Sequence, residues 1–159
     1  MGQTSFTVIY DCFLNKITDD MYMELTEIET SNMLGGLLKN ALPHFEFPRV
    51  DIYNFNFSTK TYNIELTDEE VNIIAVYMVV EWLGQQLASV ENIRMKYSGS
   101  DFKFTSQANH MAKLQSLKKE YERQGFHLQR LYKRRKRDKN GVVKSTFGEI
   151  MSTSDKNGG

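Results

Sequence analysis

Cysteine is nearly absent: Cys12 is the only one in 159 residues. No internal disulfide can form, and a reducing compartment suits such a chain. Its place among the apolar positions of the first helical stretch points to a structural thiol and not a nucleophile. The three histidines, His44, His110 and His127, are scattered and show no HxxxH spacing, so no metal-ligand pattern is present. The internal pair Gly35-Gly36 lacks both the following Lys-Ser/Thr and the spacing of a phosphate-cradling loop. With no catalytic signature, the expectation is a non-enzyme with no metal and no cofactor. The longest apolar run is about a dozen residues, short of the roughly 20 that a membrane span needs. No basic region leading into an apolar run opens the chain, so no secretory leader is expected.

Net charge is also lacking, but the average conceals a split. Residues 1–90 carry 13 acids and 4 bases, a balance of −9, and residues 91–159 carry 7 acids and 16 bases, a balance of +9. Such asymmetry suits a basic end that meets an anionic partner. It equally suits head-to-tail self-association, acidic face against basic face. The plainer alternative is chance clustering with a solubilising tail.

What is present is a strong helical core. From Ile73 to Leu83 every residue except Glu81 is apolar or aromatic, and a helix apolar on nearly all sides must be covered on nearly all sides. Thr67 followed by Glu70 has capping-box spacing, with Asp68 and Glu69 at the positive end of the helix dipole. The stretch therefore reads as the central helix of a bundle, continuing toward Tyr97. Before it, Phe6, Ile9, Tyr10, Phe13, Leu14 and Ile17 recur at helical spacing, which predicts a helix over 5–17 capped by Thr4 or Ser5. Thr26 and Glu29 offer a second capping box for a helix carrying Leu34, Leu37, Leu38, Ala41 and Leu42, ended by Pro43.

Between them the period changes. Tyr53, Phe55 and Phe57 alternate with polar residues, as do Tyr62, Ile64 and Leu66, around a turn at 58–60. This predicts a β-hairpin whose aromatic face packs on the helices or on another subunit. After Ser98-Gly99-Ser100 and the loop DFKF, Thr105 or Ser106 caps a last long helix. Its seam is Leu114, Leu117, Tyr121, Leu128 and Leu131, interrupted at Gln124 with a possible bend at Gly125. That helix is expected to end in Lys133-Arg134-Arg135-Lys136-Arg137, followed by a turn and a short strand over 142–147. The fold class is thus mainly α: a four-helix bundle-like core over 1–137 with an inserted β-hairpin near 50–66, and an extended C-terminal arm over 138–159.

Glu81 either faces the one wet side of the central helix or pairs, for instance with Arg94 or Lys113. The run KRRKR is open to three readings: a nucleic-acid or localisation patch, a cationic helix end complementing the dipole, or a steering element for a tail that docks by strand addition. Arg94 to Tyr97 and Phe102 to Phe104 interleave bases and aromatics, as in base-stacking surfaces, although packing of a loop between helices is the favoured reading.

The stretch LTDEEVNIIAVYMVVEWLGQQLASVENIRMKYSGSDFKFTSQANHMAKL, Leu66 to Leu114, with its basic continuation LQRLYKRRK, resembles the small head-to-tail connector proteins of tailed bacteriophages, also called adaptor or head-completion proteins. The resemblance covers about the last two-thirds of the chain and lies in texture and element order rather than in an invariant motif. It implies a compact helical bundle with a protruding C-terminal arm and a ring, usually of twelve copies, beneath the portal. It further implies a DNA channel continued toward the tail, location in the virion neck and assembly in the bacterial host cytoplasm. On this resemblance the portal-binding arm comprises Arg130, Lys133, Arg134, Arg135, Lys136, Arg137, Val142, Val143 and Phe147. Tyr53, Phe55 and Tyr62 would contact a neighbouring subunit or a downstream neck or tail protein. Basic side chains would make non-specific contact with channel DNA. The competing expectation is a small nucleic-acid-binding regulator using the basic C-terminal helix.

Overall fold

The computed structural model describes residues 2–17, 27–96, 104–137 and 140–145. The chain is mainly helical with a small sheet. In order it forms β1 (Thr4–Ser5), α1 (Phe6–Leu14), α2 (Glu27–Ala41), a 3₁₀ turn (Leu42–His44), β2 (Phe55–Asn56), β3 (Thr61–Tyr62), α3 (Asp68–Lys96), α4 (Phe104–Arg134), β4 (Arg135–Arg137) and β5 (Val143–Ser145).

The apolar run becomes the centre of the bundle. Ile73, Ile74, Ala75, Val76 and Met78 are fully buried in α3, and α1, α2 and α4 all pack on this helix. The segment Asp68–Ser89 has the length and composition of a membrane span, yet 61% of its apolar window is buried inside the fold, as in a core helix. The expected capping box is formed. Thr67 N–H donates to Glu70 Oε2 at 2.8 Å and Glu70 N–H donates to Thr67 Oγ1 at 3.3 Å.

α1 is capped by Ser5, whose hydroxyl accepts from Thr7 N–H at 3.3 Å. It buries Phe6, Ile9 and Phe13 and ends at Leu14, three residues short of expectation, although Ile17 still reaches the core. α2 buries Leu34, Leu37, Leu38 and Ala41, and Pro43 lies in the 3₁₀ turn that ends it. The Thr26 capping expectation, Ser98 to Lys103 and Phe147 fall outside the described residues.

The hairpin is present, with Phe55 opposite Tyr62 and Asn56 opposite Thr61. It gains a strand that the sequence pattern does not announce. β1 pairs antiparallel with β3, Thr4 opposite Tyr62, so the sheet order is β1-β3-β2. Two residues are too few to show a period, and Thr4-Ser5 reads only as a helix cap. Thr4 serves the sheet a second time, its hydroxyl accepting from Leu66 N–H at 2.8 Å.

α4 begins at Phe104, so Thr105 and Ser106 lie within its first turn and are not the cap. Gly125 is where α3 and α4 come close. A Cβ there would meet Tyr77 Cζ at 2.7 Å. The basic run does not continue the helix. α4 stops at Arg134, and Arg135–Arg137 pair antiparallel with Val143–Ser145 across a bend in which Gly141 takes φ +78°. The expected extended arm is therefore a two-stranded ribbon over its described part, and the 137/138 boundary divides that ribbon.

Candidate functional site

The C-terminal half of α4 is held in place by two side chains that point inward. Tyr132 is 1% exposed. Its hydroxyl donates to Glu70 Oε1 at 2.8 Å and accepts from Arg49 N–H at 2.8 Å. The Arg49 guanidinium lies 4.0 Å over the same ring and donates to the Tyr132 carbonyl. Burial pushes the Tyr132 phenol up to about 12, so it remains a neutral donor at ordinary pH. One turn earlier, buried Gln129 donates to Tyr77 Oη at 2.7 Å and to the His44 carbonyl at 2.8 Å, and accepts from Glu46 N–H at 3.0 Å. These bonds clamp the 44–49 loop onto α4.

The clamp decides what faces outward. Phe126, Arg130 and Lys133 share the outer side of α4 at helical spacing, and Phe47 is brought beside them. Phe47 is 62% exposed and Phe126 58% exposed. The Lys133 ammonium sits 4.0 Å over the Phe47 ring, and the Arg130 guanidinium 5.9 Å from the Phe126 centroid. This aromatic and cationic surface leads directly into the ribbon. Arg135 Nη1 reaches Glu69 Oε1 at 4.0 Å, an exposed contact worth little on its own. Val142 is exposed at the ribbon's bend.

Of the expected arm residues, Arg130, Lys133 and Arg134 therefore belong to the helix, Arg135 to Arg137 and Val143 to the ribbon, and Phe147 lies outside the described residues. Phe47 and Phe126 were missed. The i, i+4, i+7 pattern of Phe126, Arg130 and Lys133 was available in the sequence, but only the loop clamp shows that Phe47 joins them.

The hairpin residues separate. Tyr53 is 57% exposed, and its backbone N–H donates to Asp51 Oδ1 at 3.0 Å. Phe55 is half-buried, packed edge-on against Phe6 and Tyr62. Tyr62 is fully buried within its own subunit, so its expected contact with another chain is corrected: its strand position turns the ring into the core. The Tyr62 hydroxyl is buried without a hydrogen-bond partner, and burial is the main cause raising its pKa. Replacing Tyr62→Phe should therefore raise stability, by about 1 kcal/mol, read as a higher urea midpoint at unchanged slope. A loss of that size would mean that a buried water satisfies the hydroxyl.

Glu81 is half-buried and paired, at 2.7 Å, with His44 Nε2. The partner is not Lys113, and the Arg94 side chain lies outside the described ones. His44 in turn stacks on Tyr77 at 5.1 Å between centroids. Among the described residues no group of three His, Cys, Asp or Glu side chains is placed to hold a metal, and Cys12 is half-buried against the core.

Comparison of the chain with protein-family models, curated proteins and solved structures found no match.

Proposed function

We propose that this protein is a structural subunit of a tailed-phage neck, assembling as a ring that joins the portal to the tail and extends the DNA channel. The observation that carries the reading is the exposed aromatic and cationic end of α4 running into a basic two-stranded ribbon. Exposed aromatics with a neighbouring Arg are enriched at protein interfaces. A short ribbon is marginal alone and gains stability against a partner. In this reading Phe47, Phe126, Arg130, Lys133 and the ribbon bind the portal, and Tyr53 contacts a neighbouring subunit or the tail-side protein. The bundle supplies rigidity and carries no chemistry. The protein belongs in the virion neck after assembly in the host cytoplasm, with passing DNA touched only non-specifically and no membrane involved.

The test is removal of the residues after Arg134. The bundle should keep its helical circular dichroism, because no described residue after Arg134 belongs to the buried core. Binding to the portal of the same virion should fall at least a hundredfold. Unchanged portal binding by a folded truncation would refute the arm's role.

A second reading, a nucleic-acid-binding regulator, is favoured by one feature: a basic two-stranded ribbon has the width that the DNA major groove admits. Tight duplex binding with a steep dependence on salt, by a monomer or dimer, would support the regulator. A large ring, or assembly on the portal alone, would support the connector.

A further inference from the structure

A groove of about 430 Å³ lies between α2, α1 and the tip of the hairpin. Along α2 its wall is Ser31, Gly35 and Lys39, at i, i+4 and i+8 on one helix face. The hairpin tip brings two lining residues, Phe57 and Lys60, and α1 brings Tyr10. Lys60 Nζ donates to Ser31 Oγ at 2.6 Å. Lys39 Nζ sits 3.9 Å over the Phe57 ring, and that ring is what a Cβ on Gly35 would meet first, at 3.4 Å. The two anchors therefore stand on successive turns of α2, roughly 5 Å apart along its axis. Both ammonium groups rest on neutral partners, and among the described residues neither has an acidic one. Like charges held in this way favour an anion between them.

Two local choices run against stability and serve the groove. Lys60 holds a left-handed backbone, φ +52°, which glycine would adopt at less cost. Lysine there strains the turn and supplies a cation. Gly36 has no packing reason, since a Cβ would meet nothing within 4 Å, and glycine weakens a helix interior. Its missing side chain keeps the groove open. Tyr10 Oη lies 3.8 Å from the place of a Gly35 Cβ, and burial pushes this phenol up to about 12, so it stays a neutral donor. We infer that the groove binds a phosphate group, with Lys39 and Lys60 as its cations and Tyr10, Ser31 and Asn32 as neutral donors. The oxygens of a phosphate point in several directions, which suits donors supplied by three elements better than the planar pair of a carboxylate. The site shares no residue with the proposed portal surface and does not depend on the connector reading.

The test is titration of the isotope-labelled intact chain with inorganic pyrophosphate, followed at the backbone amide resonances of Gly35 and Gly36. Both should shift along a saturating curve. Lys39→Gln should weaken binding by at least about tenfold. Lys60→Gly should do the same while raising the melting temperature, because the turn prefers glycine. A purely structural role for Lys60 would not lower affinity as stability rises. Gly36→Leu should keep the fold, since the space is open and leucine favours helix, and should abolish the shifts by filling the groove. Lys133→Gln should change nothing. A single-stranded oligonucleotide that moves the same two amides, with the same dependence on Lys60, supports the site and names a nucleic-acid backbone as the source of the phosphate. Shifts with pyrophosphate alone support it and name a free phosphorylated molecule. Shifts confined to Gly141 and the ribbon overturn the site. So does an affinity that Gly36→Leu and Lys60→Gly leave unaltered, and so does the absence of any shift.

Discussion

Phe6→Ala should be the most damaging single truncation in this protein, costing about 4 kcal/mol of stability. Phe6 is fully buried and stands at the junction of α1 with the sheet. Its ring meets Tyr10, Phe55, Phe57 and Tyr62, all edge-on, at centroid separations from 5.2 to 6.0 Å. Edge-to-face pairs add to the area term, and four rings arranged around one cannot collapse into its space without giving up their own geometry. Phe6 N–H also donates to the Lys60 carbonyl at 2.9 Å, so the backbone there is tied to the hairpin and cannot drift inward to fill the hole. The check is urea unfolding followed by circular dichroism. Phe6→Leu, which keeps most of the volume, should lose less than half as much. A loss under about 1 kcal/mol for the alanine variant, against the usual range for such truncations, would mean that the ring cluster does not organise this corner.

Glu70→Ala should cost about 3 kcal/mol, because one carboxyl group serves two purposes. One oxygen completes the capping box at the start of α3, and the other accepts from the Tyr132 hydroxyl near the end of α4. Glu70 is 2% exposed, so neither orphaned partner regains water readily. Thr67 N–H loses its acceptor and the Tyr132 hydroxyl is left with only the bond it accepts from Arg49. Glu70→Gln, which keeps an acceptor oxygen, should be milder. The two-residue cycle with Tyr132→Phe should show a coupling of about 1–2 kcal/mol between them. Independent, additive losses would mean that the helix cap and the α4 clamp are separate devices. The same variant should loosen the 44–49 loop and with it the placement of Phe47 beside Lys133, giving a link from the α3 cap to the proposed portal surface.

The ribbon shows where sequence reasoning stopped. Lys133 to Arg137 was legible as a cationic end, and 142–147 as a strand, but their pairing was not. It depends on α4 halting at Arg134 and on Val143–Ser145 lying antiparallel beside Arg135–Arg137, and the charge pattern writes neither. Gln129 was less visible still. It resembles an ordinary polar interruption of a helix, yet it is buried because Tyr77, His44 and Glu46 all present partners to it. Gly125 looked like a bend, and its reason is the Tyr77 ring of another helix. Tyr53 and Tyr62 carried the same expectation, but one faces outward and the other is enclosed, since β1 pairs on one side of β3 and α1 covers its face.

The local features were readable in one dimension because each is written within a few residues. The all-round apolar run could only be a buried helix. Thr67 and Glu70 are three positions apart and cap each other wherever the chain goes. Alternating aromatics make a strand before anything packs on them. The clamp on α4, the His44–Glu81 pair and the exposed Phe47–Lys133 surface join segments 37 to 86 residues apart. Tyr, Gln, His and Lys each suit both core edge and surface, so composition leaves their direction open. The neighbour that packing supplies, and the cost of burying a polar atom without one, settles it.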